Sequence, residues 1–293
     1  MTVSALQTPS APERLGALIA AARAVDGQPP FSDQSLVELE RGERTLVTSE
    51  RGSDAEGAAL IGAAVVGTDE FELVVHPDAR GAGVGTDLVR RVLAEHPAAT
   101  HAWAHGDHPA SRALAARFGF EPVRTLLQLH ADLDSPSAAA LDPRREDRDH
   151  LRVTDFRPGI DDEQWLALNA RAFADHPEQG RLTLRDLDDR TAEAWFDAGD
   201  FLILRDGDAM IGFCWLKVEG TIGEFYAVGV DPARQGEGLG RVLMDAGIAR
   251  LAARGIRTAV LYVEADNAPA LALYSRYGFT QHTIDIRYRL IAR

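Results

Sequence analysis

The chain has 293 residues, 45% hydrophobic and 26% charged, a globular composition that excludes a disordered, collagen-like or fibrous polypeptide and suggests two domains. A net charge of −14 gives no electrostatic reason to hold a nucleic-acid backbone, and no run approaches the ~18 apolar residues of a membrane span. The single cysteine, Cys214, leaves out an intrachain disulfide and any cysteine-based metal cluster; it points to the cytosol, and the histidines lack metal-ligand spacing, so no metal is expected.

In chain order, the apolar run Leu15 to Ala22, flanked by Glu13, Arg14 and Arg23, reads as an amphipathic helix rather than a signal peptide. Phe71-Glu-Leu-Val-Val-His-Pro-Asp-Ala-Arg-Gly-Ala-Gly-Val-Gly85 follows, and then Arg117-Phe-Gly-Phe120. Both return. Tyr226-Ala-Val-Gly-Val-Asp-Pro-Ala-Arg-Gln-Gly-Glu-Gly-Leu-Gly240 lies 155 residues after the first motif, and Arg276-Tyr-Gly-Phe279 lies 159 after the second. Two copies of one module therefore fit the length: residues 1–130 and 151–293, joined by a charged linker, 131–150, that has no apolar period.

The second copy predicts helices over 161–173 and 184–196, a strand over 201–204, a turn at Asp206-Gly207-Asp208, and strands over 210–218 and 223–230. A helix over 238–254, a strand over 258–263, a helix over 268–277 and a last strand over 284–290 complete it. The order is α/β with a central mixed sheet.

Chemistry concentrates in Gln235-x-x-Gly238-x-Gly240, which follows an apolar strand and opens a helix. Glycines let the backbone approach a bulky anion, and N–H groups at a helix start cradle a pyrophosphate without needing a basic protein. Arg80-x-x-Gly83-x-Gly85 repeats the device. Neither copy has the Gly-Lys-Ser/Thr of a Walker loop, and a dinucleotide fingerprint would come earlier in its unit.

These residues resemble the GNAT superfamily of N-acetyltransferases, whose signature Q/R-x-x-G-x-G/A grips the pyrophosphate of acetyl-CoA. The resemblance covers nearly the whole chain as a tandem pair. The second half is similar to the mycothiol synthase branch through Asn169-Ala-Arg-Ala-Phe-Ala-Asp-His-Pro-Glu-Gln-Gly180, Gly223-Glu-Phe-Tyr-Ala-Val-Gly-Val230 and Leu261-Tyr-Val-Glu-Ala-Asp-Asn267. That branch acetylates the cysteinyl amine of cysteine–glucosamine–inositol.

The resemblance implies a set of contacts with acetyl-CoA. The backbone of Val228, Gly229 and Val230 would pair with the pantetheine arm. Gln235, Gly236, Glu237, Gly238, Leu239, Gly240 and Arg241 would hold the pyrophosphate, and Asn267, Ala268, Pro269, Ala270, Leu271 and Ala272 would flank the thioester. In the first half the corresponding residues are Leu73, Val74 and Val75 and then Arg80, Gly81, Ala82, Gly83, Val84 and Gly85. Glu178, Lys217, Glu224 and Tyr262 would face the acceptor, and Asp33 of the first half would add one contact. The expected partner is a small molecule, and the chain is expected to act as a monomer.

The chemistry can be reasoned without the family. Amide formation from a thioester needs a neutral amine and a proton for the departing thiolate. Glu224, one strand-length before the loop, suits the base, and Tyr274, one turn before Arg276, suits the acid. Cys214 in an apolar strand reads as core, and His176 before Pro177 as loop-shaping. Matching the C-terminal motifs puts Ala115 opposite Tyr274, while matching the loops puts Asp69 opposite Glu224. The first half is therefore expected to bind acetyl-CoA without turning it over. The alternatives are a tandem enzyme for another small amine and an acetyl-CoA sensor without turnover.

Overall fold

A computed structural model describes residues 10–52, 59–134, 150–174 and 179–291. Two compact units emerge: Met1–Leu127 together with Thr283–Arg293, and Gln128–His282. Most of the expected linker, 135–149, lies outside the described residues.

The first unit opens with α1 (Ala11–Asp26), started by a capping box between Ser10 and Glu13 and ended by Gly27 in the left-handed conformation (φ 81°). Then come α2 (Asp33–Glu40), β1 (Thr45–Arg51), β2 (Ala59–Val66), β3 (Glu70–Val75), α3 (Val84–Glu95), β4 (His101–His105), α4 (Pro109–Phe118) and β5 (Phe120–Asp132). The strands β1, β2 and β3 are antiparallel neighbours, whereas β3 and β4 run parallel, so the sheet is mixed. Apolar side chains on its two faces form two cores. One gathers Leu15, Leu18, Ala22 and Phe31 under the first two helices; the other gathers Phe71, Leu88, Val89, Val92 and Phe120 under α3 and α4.

The second unit contains β6 (Leu151–Asp155), α5 (Asp162–Ala172), α6 (Leu184–Thr191), β7 (Phe201–Asp206), β8 (Ala209–Glu219), β9 (Ile222–Val230), α7 (Leu239–Ala253), β10 (Thr258–Glu264) and α8 (Ala268–Arg276), followed by β11 (Thr280–Leu290). Again β6 to β9 are antiparallel neighbours, and β9 runs parallel to β10. The helix expected over 184–196 stops at Thr191, because Trp195 and Phe196 turn inward to pack on Trp215 at 5.9 and 6.0 Å. Trp215 itself lies flat on Phe201, 4.2 Å away, with Trp165 edge-on at 5.6 Å. The start of β7 is tied to α7 through buried Asp200, which accepts from Arg250 Nε at 2.7 Å and from Arg254.

One expectation requires correction. The final strand, read as the end of the second copy, belongs from Thr283 onward to the first unit, where it pairs antiparallel with β4. The reason is a complementary edge: Ile286 and Tyr288 complete the core under α3 and α4, and Arg287 Nη2 reaches Glu70 at 3.2 Å. Correspondingly, β5 belongs to the second unit from Gln128, and Leu133 N donates to Arg257 O at 2.8 Å.

Charge also seats β11. Asp285 lies 2.9 Å from His105 Nδ1, and the other side of the ring faces Glu72 at 3.6 Å. Glu72, 2% exposed, in turn accepts from Ser32 N, Ser32 Oγ and Ser35 Oγ at 2.9, 2.9 and 2.7 Å, which fixes the start of α2. Burial alone would lower the His105 pKa, but Asp285 and Glu72 raise it to about 9. A raised folded-state value stabilises below the unfolded 6.5 and is lost as pH climbs through about 9. Denaturant unfolding of the chain should accordingly show a loss of order 2–3 kcal/mol between pH 6.5 and 10, and His105→Gln should lower stability at pH 6.5 and flatten that dependence.

Candidate active site

In the second unit the central parallel strands pair only in part. Among the described residues, the pairing of β9 with β10 runs from Ile222–Thr258 to Phe225–Leu261. Beyond it the strands separate, and Val228, Gly229 and Val230 face the gap on that edge while pairing with β8 on the other. The departure begins at a bulge. Trp215 stands opposite Ala227 and Leu216 opposite Phe225, so Tyr226 is the extra residue on β9. Its ring packs 5.3 Å from Trp195 and 5.4 Å from Trp215, and its hydroxyl accepts from Arg190 Nε at 3.2 Å.

Glu224 and Tyr274, the residues expected to act as base and acid, lie on opposite faces of the sheet. Glu224 is the cross-strand neighbour of Lys217, on the sheet face that carries Trp215 under α5 and α6. Burial pushes its carboxyl above the usual range; Lys217 partly opposes this, and Glu219 adds to it. Tyr274 belongs to α8, which packs with α7 on the opposite face, where Tyr277 Oη donates to Asp245 at 2.8 Å. Its ring is 6.0 Å from Phe279, and burial, with Cys214 adding to it, pushes its hydroxyl up to about 12. A phenol so placed stays protonated at neutral pH and can donate. Cys214 is fully buried and its thiol is pushed upward by burial, as expected of core.

Lys217 is held by a carboxylate and an indole. Its ammonium lies 2.8 Å from Glu219 and 5.4 Å from the centre of the Trp195 ring. Burial alone would lower its pKa, yet Glu219, Glu224 and Tyr226 raise it above its ordinary value. Tyr262 sits on β10 just past the end of pairing, about half exposed, and its hydroxyl accepts from Gln128 Nε2 at 2.6 Å. Glu178 lies outside the described residues, but Gln179 beside it is pinned: Asn169 Nδ2 donates to Gln179 O at 2.6 Å. At Gly180 a Cβ would stand 2.1 Å from Phe173 O, so only glycine fits that approach. Trp195, Tyr226 and Arg190 escape the sequence reading, because nothing local marks the bulge or the inward turn after α6.

The two glycine loops have matching geometry. Gly81 and Gly83 take φ values of 74° and 90°, and Gly236 and Gly238 take 85° and 73°. A Cβ at Gly81, Gly83 or Gly236 would meet no protein atom, so these positions are open to a ligand, and no side chain caps the first turn of α3 or α7. This fits a pyrophosphate held by backbone donors. The last glycines serve packing instead: a Cβ at Gly85 would meet Leu114 at 3.2 Å, and one at Gly240 would meet Leu273 at 3.0 Å. Glu237 points to Arg234, 2.8 Å away, and Gln235 is exposed. Asn267 caps α8, its side chain accepting from Ala270 N at 3.2 Å.

The first unit repeats the gap without the bulge. Pairing of β3 with β4 runs from Glu70–His101 to Glu72–Trp103, and β2 with β3 continues unbroken from Val66–Phe71 to Gly62–Val75. The edge-on ring pairs Phe71–Phe120 and Phe225–Phe279, 6.0 and 5.9 Å apart, then coincide, so Glu70 rather than Asp69 stands opposite Glu224. Glu70 is engaged by Arg44 at 3.1 Å, by Arg287 at 3.2 Å and by Trp103 Nε1 at 3.1 Å. Arg80 is also neutralised, its guanidinium bidentate to Asp26 at 2.8 and 2.7 Å. Asp33 stands exposed in the first turn of α2, beside the serines that Glu72 holds.

Comparison with known proteins agrees with this geometry. The model of the acetyltransferase (GNAT) family matches residues 21–120 and 164–279. A mycothiol acetyltransferase of Kocuria rhizophila is 43% identical, with 99% of each chain covered; one of Clavibacter michiganensis is 49% identical over 92% of this chain and 88% of its own. Among solved structures, a GCN5-related N-acetyltransferase from Sphaerobacter thermophilus has a TM-score of 0.70 at 22% identity, covering 97% of this chain and 94% of that one. A tandem GNAT protein from the clavulanic acid biosynthesis pathway has a TM-score of 0.65 at 18% identity, covering 96% and 95%. The chain belongs to the GNAT acetyltransferase family and carries that fold twice.

Proposed function

We propose that this acetyltransferase moves the acetyl group of acetyl-CoA to the cysteinyl amine of cysteine–glucosamine–inositol, as a cytosolic monomer working on a small molecule, with the chemistry in the second unit. What supports the site assignment is the edge of β9 left without β10 after Phe225, ahead of the glycine loop, with Glu224 and Tyr274 on opposite faces of that sheet. Full-length similarity to mycothiol acetyltransferases carries the choice of acceptor.

The bound thioester supplies an activated carbonyl. Around it, Gly236 to Gly240 present backbone donors to the pyrophosphate, and Val228 to Val230 offer a strand edge to the pantetheine arm. Glu224 takes a proton from the amine at its carboxylate, and Tyr274 gives one to the sulfur at its hydroxyl. The base has a light task, since an α-amine with pKa near ~8 costs about 3 kcal/mol less to deprotonate than a lysine near ~10.4. Lys217, held by Trp195 and Glu219, opposes the upward push that burial gives the Glu224 carboxyl.

Coupling the enzyme to CoA release in the presence of the cysteinyl pseudodisaccharide tests the assignment; no release, with release on an unrelated aminoglycoside or amino acid, would overturn the acceptor. Tyr274→Phe should lower kcat by ~10²-fold with little change in acetyl-CoA affinity. Glu224→Gln should cost most at low pH and recover as pH rises through the amine's own pKa. Because Lys217 lowers the Glu224 pKa, Lys217→Met should move the acidic limb of kcat/KM to higher pH; a limb that stays in place argues against Glu224 as the titrating base. Gly238→Glu should abolish acetyl-CoA binding at the second loop, as titration calorimetry would show by the loss of one site.

A further inference from the structure

We propose that the first unit binds a CoA thioester whose acyl chain is longer than acetyl, with the chain lying in the space that corresponds to the Tyr274 ring of the second unit. This rests on reading the loop from Arg80 to Gly85 as a cradle for the CoA pyrophosphate.

A cavity of about 1040 Å³ lies within the first unit, lined by Gly81 and Gly83 of that loop and by Phe71, Val89, Ala115 and Phe120. Two internal markers bring the units into register. The edge-on phenylalanine pairs match to within 0.1 Å (6.0 against 5.9 Å) and 2° (79° against 81°). Leu114 and Leu273, one residue before Ala115 and Tyr274, each close on the last glycine of their own loop. Ala115 therefore occupies the position of Tyr274, whose ring lies 6.0 Å from Phe279. Where that tyrosine places a ring and a hydroxyl, Ala115 leaves only a methyl group.

Phe71, Val89, Ala115 and Phe120 are core residues, and Tyr288 of the same core also lines the cavity, so the wall near Ala115 is largely apolar with a phenol at its border. An acetyl group leaves such a space empty or wet, whereas a chain two to four methylenes longer fills it with apolar contact. The missing tyrosine removes the acid, and Glu70 is bound by Arg44 and Arg287, so the thioester is held rather than consumed. The ligand class is thus a short- to medium-chain acyl-CoA.

Each buried methylene is worth about a fourfold gain in affinity, so butyryl-CoA should bind at least about tenfold more tightly than acetyl-CoA at this site. Calorimetry on the full chain carrying Gly238→Glu, which closes the second loop, isolates the first; the unmodified chain, with one site of each preference, provides the same readout without that substitution. Ala115→Tyr should erase the preference for butyryl-CoA and leave acetyl-CoA affinity unchanged, and the smaller Ala115→Leu should reduce it, with thermal melting confirming that each variant is folded. Equal or weaker binding of butyryl-CoA overturns the proposal and leaves the loop reading standing. Absence of binding by both thioesters at the first loop overturns the two together.

Discussion

Parallel strands that stop pairing partway along are the constraint on which both units depend. Backbone N–H and C=O groups in a sheet interior need partners, and a strand edge left without a neighbour is a site for an extended ligand to add itself. In the second unit β9 leaves β10 after Phe225, and in the first β3 leaves β4 after Glu72. The glycine loops follow at the far end of the same strands, so an arm laid along the gap leads to an anion cradle at a helix start.

From this shared plan the units diverge through a few residues. Tyr226 is one residue more than β8 can match, and the bulge it forms lets its ring meet Trp195 and Trp215 around Lys217. In the first unit the ladder is regular and the corresponding carboxylate, Glu70, is saturated by two guanidinium groups and an indole. A carboxylate bound on both oxygens is a poor base, and Ala115 cannot donate a proton. Glu224, by contrast, is mostly buried, and burial pushes its carboxyl upward with only Lys217 opposing.

Charge is managed locally in this acidic chain. Arg80 is matched by Asp26 and Arg234 by Glu237 and Asp206, so neither of these guanidinium groups stands unpaired beside its loop. The Glu72–His105–Asp285 cluster does a different task. It fastens the last strand of the chain into the first unit and also fixes the start of α2, where Asp33 is displayed.

By itself the sequence determined the duplication, the α/β order, the two loops and the difference between Ala115 and Tyr274, because each is written in short contiguous motifs whose spacing repeats. Glycines that need positive φ, an amphipathic helix start and the pair Ala115 and Tyr274 are all local signals. Only the tertiary structure decided where β11 goes, since strand pairing joins residues as far apart as His105 and Asp285 and leaves no mark at either position. It also decided that Glu70 replaces Asp69 as the counterpart of Glu224: a bulge shifts register by one residue, and the extra residue is visible only when the partner strand is in place. The inward turn of Trp195 belongs to the same class, because it is driven by the aromatic core around Trp215 against a local pattern that reads as continued helix.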